Sequence, residues 1–144
     1  MSFAVDVNLL LYASDASSRF NQAARQFLDR LSSGSEIAYL FWPVISGYLR
    51  IATHPAVFDA PLTPDEAIGN IDELLSLPHV QAPGEGEQFW PRFREVSQEG
   101  GARGNLVPDA HVVALMRENG VRTIWTHDRD YRRFDGLEVR DPLD

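Results

Sequence analysis

The chain alternates between short apolar runs and longer stretches in which apolar residues return every three or four positions. Phe3-Ala4-Val5 is an apolar run that stops at Asp6, as a buried strand does, and Asn8 to Tyr12 begins a helical stretch carrying Leu9, Leu10 and Leu11. From Arg19 to Leu31, the residues Phe20, Ala23, Ala24, Phe27, Leu28 and Leu31 recur at helical spacing, and Ser32-Ser33-Gly34-Ser35 closes that helix. Ile37 to Phe41 reads as a second buried strand. Pro43 suits a first helical turn, and its helix carries Val44, Ile45, Tyr48, Leu49 and Ile51. It ends at His54-Pro55, because the residue before a proline avoids the helical region. Thr63-Pro64-Asp65-Glu66 joins a cap to an acidic first turn and starts a helix running to about Leu77. Pro78 to Pro83 has room for at most a short strand. Glu85 to Gln98 reads as a helix with Phe89, Trp90, Phe93 and Val96 on one face, a stripe expected in the core, although Pro91 lies too deep for a comfortable first-turn proline. Leu106 to Asn119 is a helix closed by Asn119-Gly120, followed by strands at Arg122 to Thr126 and Leu137 to Val139.

Strands alternating with helices imply a mostly parallel sheet covered on both faces, so the expected architecture is a three-layer α/β/α sandwich, one domain over residues 1–144. The length agrees, being enough for one core and too little for two ordinary domains. No repeat, linker or low-complexity stretch interrupts it. The absence of cysteine excludes disulfides, thiolate metal sites and cysteine nucleophiles. The opening residues lack the basic region and apolar run of a signal peptide, and no apolar segment approaches the ~18 residues of a membrane span. The expectation is a cytoplasmic protein with no membrane attachment.

The net charge of −8 argues against loose, charge-driven attraction to nucleic acid, yet carboxylates that hold divalent cations would contribute to that balance and be reversed locally by the ions. All 13 basic residues are arginine, whose planar fork suits phosphate oxygens, but biased codon usage gives the same composition. Charge therefore leaves an RNA substrate open.

Sites in open α/β sheets form beyond the carboxyl ends of the strands. Three acids meet that condition: Asp6 after the first strand, Asp128 just past the strand ending at Thr126, and Asp109 in the first turns of the helix feeding that strand. They are 103 and 19 residues apart, so only the fold can gather them, and Asp130 can join. Clustered carboxylates repel one another, and a divalent cation resolves the repulsion. Mg²⁺ and Mn²⁺ prefer oxygen ligands, and a phosphodiester is the natural substrate of such a centre. Each acid also has a local reading: Asp6 as a helix cap, Asp109 as a first-turn acid, Asp128 and Asp130 as turn residues. His54, His79, His111 and His127 have no zinc spacing, and of these His111 and His127 flank the acids. There is no phosphate-binding glycine loop and no Gly-x-Ser-x-Gly.

Three segments carry a resemblance. Val5-Asp6-Val7-Asn8-Leu9-Leu10 resembles the opening motif of PIN-domain proteins, Gly104 to His111 their central acidic motif, and Thr126-His127-Asp128-Arg129-Asp130-Tyr131 their terminal motif of Thr, Asp, a spacer, Asp and an aromatic. The stretch Gly47 to Pro55 and the ending Asp141-Pro142-Leu143 are similar to one branch, the VapC-type toxins of bacterial toxin–antitoxin pairs. The resemblance implies a Mg²⁺- or Mn²⁺-dependent endoribonuclease. It implies catalytic and metal-binding roles for Asp6, Asp109 and Asp128, with Asn8, Thr126 and Asp130 in support. It further implies an RNA substrate, a homodimer and a VapB-type antitoxin that blocks the cleft. One departure stands out: many members carry a Glu on the helix after the second strand, and that position falls here at Gly47. The alternative from another class is a catalytically inactive PIN-like binding module acting through a protein partner. A phosphatase with Asp6 as nucleophile would want a second acid two residues on, where Asn8 stands.

Overall fold

Short extended segments satisfy their peptide N–H and C=O groups by lying side by side. In the structure, a computed structural model describing residues 1–143, they pair into one sheet of five parallel strands. These are β1 (Ser2–Val5), β2 (Ile37–Tyr39), β3 (Val80–Gln81), β4 (Thr123–Trp125) and β5 (Glu138–Arg140), in the order β3-β2-β1-β4-β5. Ala4 is in register with Tyr39 on one side and Ile124 on the other. The connections are α1 (Val7–Ser14), α2 (Asn21–Ser33), α3 (Trp42–Ala52), α4 (Pro64–Leu75), α5 (Phe89–Gly100) and α6 (Leu106–Glu118). Right-handed crossovers send the helices joining β1 to β3 over one face and α5 and α6 over the other, which is the expected three-layer α/β/α sandwich. Among the described residues no helix is long and apolar enough to cross a membrane.

Local chemistry sets most boundaries. Thr63 accepts from the Glu66 amide at 3.1 Å while the Glu66 carboxylate accepts from the Thr63 amide at 2.9 Å, a reciprocal cap that fixes the start of α4. Gly101 and Gly120 end α5 and α6 with φ of 60° and 67°, in the left-handed region that costs glycine nothing. Arg117 of α6 donates to both Glu99 oxygens at 2.7 Å and so ties α6 to α5.

Several expectations are corrected. α5 begins at Phe89, four residues later than the sequence pattern suggested. This makes Pro91 the third helical residue, where its missing N–H would have no intrahelical acceptor anyway. The aromatic stripe of that helix is not all core: Phe89 and Phe93 pack half-buried against it, but Trp90 is 61% exposed. β2 stops at Tyr39, because Phe41 already caps α3. α4 stops at Leu75, short of Leu77. A 3₁₀ turn, Arg129–Arg133, had no periodic signal and follows β4 directly.

The strand order places the site. From β1 the chain leaves towards β2 and β3, and it later returns on the other side of β1 to β4. Connections therefore diverge between β1 and β4, and a crevice opens beyond their carboxyl ends. Asp6 follows β1 there, and Thr126 to Asp130 follow β4.

Candidate active site

The innermost acid is Asp6, 5% exposed. Its amide continues the ladder to the Trp125 carbonyl at 3.0 Å, and its Oδ1 accepts from the Val7 amide at 2.8 Å, so it caps α1. The cap reading and the site reading of Asp6 thus describe one residue. Its Oδ2 accepts from the Thr126 hydroxyl at 2.6 Å, and Oδ1 takes a further bond from the Tyr131 hydroxyl at 3.2 Å. Burial raises the Asp6 carboxyl above its ordinary range; the bonds from Thr126, Val7 and Tyr131 pull it back, and nearby Asp128 adds a push upward.

Thr126, 1% exposed, is the hub between β1 and the turn after β4. Its single proton goes to Asp6, and its oxygen accepts from the Asp128 amide at 2.9 Å and from the Asn8 side-chain amide at 3.3 Å. One donor and two acceptor positions are all a hydroxyl has, and all are used. Asn8 reaches back with Oδ1 to the His127 amide at 3.4 Å. Thr126 and Asn8 therefore both act on the backbone that carries Asp128. Asp128 itself caps the 3₁₀ turn, its Oδ1 accepting from the Asp130 amide at 2.9 Å.

Nearer the solvent, Asp109, Asp128 and Asp130 each offer a carboxylate oxygen, and the three atoms lie within 4.8 Å of one another. Asp6 stands one layer deeper than this trio. Asp109, in the first turn of α6, has its carboxyl pushed from 3.8 up to about 7. Burial is the largest cause, followed by the charges of Asp6 and Asp128; the Tyr131 hydroxyl opposes them, and Asp130 adds to them. Oxygen donors at this spacing, with one member reluctant to ionise beside the others, suit a hard divalent cation.

Four further residues complete the picture. Tyr131, to which the sequence pattern assigned no role beyond an aromatic place in the motif, is buried with its hydroxyl aimed at the acids. Burial first, then Asp6 and Asp109, holds that hydroxyl well above its ordinary 10.0, so it stays a proton donor. His127 turns away to Asp141 at 2.7 Å and His111 to Glu85 at 2.7 Å, so neither ring joins the carboxylates. Gly47 on α3 leaves its vacant side-chain position directed at the Val7 methyl group, 3.6 Å from where a Cβ would stand.

A parallel sheet with acids converging at its switch point defines an α/β protein with an acidic site beyond the carboxyl ends of β1 and β4. The PIN domain model matches residues 3–137, and the chain belongs to the PIN-domain family, in its VapC branch. It is 49% identical over 143 residues to Ribonuclease VapC48 of Mycobacterium tuberculosis, covering 99% of both chains. In fold it is similar to the crystal structure of Mycobacterium tuberculosis VapC20, a Sarcin-Ricin loop cleaving toxin, with a TM-score of 0.70, 17% identity and coverage of 96% and 98%. It is also similar in fold to VapBC2 from Rickettsia felis bound to a DNA fragment from their promoter, with a TM-score of 0.68, 13% identity and 98% of each chain covered.

Proposed function

We propose that this chain is an endoribonuclease of the VapC type that hydrolyses RNA phosphodiester bonds with the help of Mg²⁺ or Mn²⁺. The observation that carries the reading is the acidic cluster at the β1–β4 switch point, in a chain 49% identical to a VapC ribonuclease. Asp109, Asp128 and Asp130 would hold the ion, with Asp6 behind them, its carboxyl held by Val7, Thr126 and Tyr131. When bound, the ion supplies an acidified water and offsets the charge of the attacked phosphate. The chain's own contribution is orientation. Thr126 fixes Asp6 and the Asp128 backbone in one geometry, Asn8 braces Thr126, and Asp128 caps the turn that presents Asp130. Retention of all four carboxylates supports catalysis over the reading as an inactive binding module.

The cellular role we propose is that of the toxin in a type II toxin–antitoxin pair, working as a homodimer in the cytoplasm. Its partner would be a small VapB-type antitoxin. A cleft of carboxylates attracts cations, so the antitoxin is expected to set a basic or amide side chain against them. An antitoxin complex with this cleft open would refute that expectation.

The test is cleavage of a broad RNA panel in Mg²⁺ and in Mn²⁺ by wild type, Asp6→Asn, Asp109→Asn and Asp128→Asn. Activity should require the ion and fall by orders of magnitude in each variant. Cleavage that persists in EDTA, or in the variants, refutes the reading.

A further inference from the structure

A second cluster of side chains stands beyond the same strand ends as the acids. Tyr12 of α1, Phe20 just before α2 and His127 in the turn after β4 form one aromatic group. Ring centroids are 5.1 Å apart for Tyr12 and Phe20, 4.6 Å for Phe20 and His127, and 6.1 Å for Tyr12 and His127. The group is tied to the acidic centre through the backbone: His127 lies between Thr126 and Asp128, and its amide donates to Asn8 Oδ1 at 3.4 Å. At the far end the Arg19 guanidinium lies over the Phe20 ring, 4.7 Å from its centroid. All three rings are partly covered, and Arg19 is exposed.

Packing accounts for the rings but not for the polar groups at the two ends. His127 Nδ1 is bonded to Asp141 Oδ2 at 2.7 Å, which fixes the ring, while its Nε2 has no partner among the described residues. Arg19 forms no ion pair among the described residues, in a chain with 21 acids against 13 bases. We propose that this group is a substrate subsite: it receives one unpaired nucleotide of the RNA beside the bond that is cut, with the base against the Phe20 and His127 rings and its phosphate on Arg19. Every base has a π-face, so stacking of this kind tolerates any sequence, and the arginine fork suits phosphate oxygens. Bases within a duplex are already stacked on one another, so the subsite selects single-stranded or looped RNA. A chain of net charge −8 gains nothing from long-range attraction to RNA, and a local contact beside the acids supplies the hold that net charge does not.

The inference rests on the ribonuclease reading of the acidic centre, and Arg19→Ala, Arg19→Lys and Phe20→Leu test it. Affinity is read from the fluorescence anisotropy of a short fluorescein-labelled single-stranded RNA, with each substitution placed in an Asp109→Asn parent that does not cut it. Phe20→Leu should weaken binding about tenfold. Arg19→Ala should weaken binding and reduce the slope of log affinity against log salt by about 0.7, the share of one phosphate contact on a single strand, while Arg19→Lys keeps the slope. The same RNA annealed to its complement should bind more weakly and be indifferent to Phe20→Leu. In cleavage assays with Asp109 restored, Arg19→Ala should raise KM and leave kcat unchanged. Parent affinity and slope in Arg19→Ala and Phe20→Leu overturn the subsite, leaving the cluster to packing or a protein partner and the ribonuclease reading intact. A loss of affinity in Arg19→Ala without a change of slope also overturns it, as does a parent that binds no RNA. If Phe20→Leu loses its native far-UV circular dichroism, the two Arg19 variants decide the matter. Wild type that cuts no RNA, while the parent binds it as described, overturns the ribonuclease reading alone.

Discussion

Asp109→Asn is expected to make the metal-free protein more stable while abolishing its activity. The carboxyl of Asp109 is lifted from 3.8 to about 7. At about 1.36 kcal/mol per pH unit this corresponds to about 4 kcal/mol of opposition to ionisation. Part of the side chain faces solvent, where water and salt screen it, so about 1–2 kcal/mol is the effect to expect. The sign follows from proton counting. Between 3.8 and about 7 the folded state holds a proton that the unfolded state has released, so stability falls as pH rises through that window and the full cost is present above it. Asparagine carries no such cost. In EDTA at pH 8 the variant should therefore melt roughly 2–8 °C above wild type, taking about 2–4 °C per kcal/mol for a chain of this size. The gap should narrow as the pH is lowered towards 4. Saturating Mn²⁺ should reverse the order, because only wild type gains the binding free energy of the ion. Thermal unfolding of both proteins across pH 4–8, with and without Mn²⁺, is the assay. A variant that melts at or below wild type in EDTA at pH 8, or a gap that does not change with pH, refutes the account of Asp109.

Three other substitutions probe the surroundings. Gly47→Glu should be tolerated, since its Cβ would meet only the Val7 methyl at ordinary contact distance, and should tighten Mn²⁺ binding several-fold by adding a negative charge next to the residue that follows Asp6; unchanged or weaker binding in a calorimetric titration would show that α3 does not face the ion. Thr126→Val strips Asp6 of its 2.6 Å bond and the Asp128 amide of its acceptor, and urea unfolding should show a loss of about 1–3 kcal/mol. A loss within experimental error would demote Thr126 from hub to bystander. Gly100→Ala would set a Cβ 2.3 Å from the ring of Phe134, which is itself buried, and should cost about 1–3 kcal/mol through overpacking; a neutral result would mean that α5 and the chain after the 3₁₀ turn can separate freely.

What the sequence made legible follows the range of the interactions. Asp6, Asp109 and Asp128 were readable because each sits at the end of a strand or the start of a helix, and element ends are written in local pattern. Their grouping was not, since it depends on the strand order that sets β4 beside β1. Tyr131 was not readable as a site residue, because an aromatic in a motif looks like packing and its hydroxyl bonds a residue 125 positions away. The layering of the acids, with Asp6 behind Asp109, Asp128 and Asp130, depends on side-chain depth, which spacing does not encode. The start of α5 failed for a local reason: Glu85, Glu87 and Gln88 are good helix formers, while Gly86 among them and the demand of Pro91 for a first-turn place both favour a start at Phe89. Trp90 failed because helical spacing identifies a stripe without saying how wide a face the neighbouring helix covers.

The position of β4 beside β1 also governs when the chemistry can exist. Asp6 and the Thr126 hydroxyl that fixes it are 120 residues apart, and Asp128, Asp130 and the strand that carries them stand with Thr126. The part of the chain from β1 to β3 with α1 to α4 carries Asp6 and none of the other three acids. Closing the long loop from β1 to β4 is the entropically demanding step, and it is the same step that assembles the carboxylates. A chain cut before Thr123 would lack β4, Thr126, Asp128 and Asp130 together, and with them the acidic cluster beyond β1.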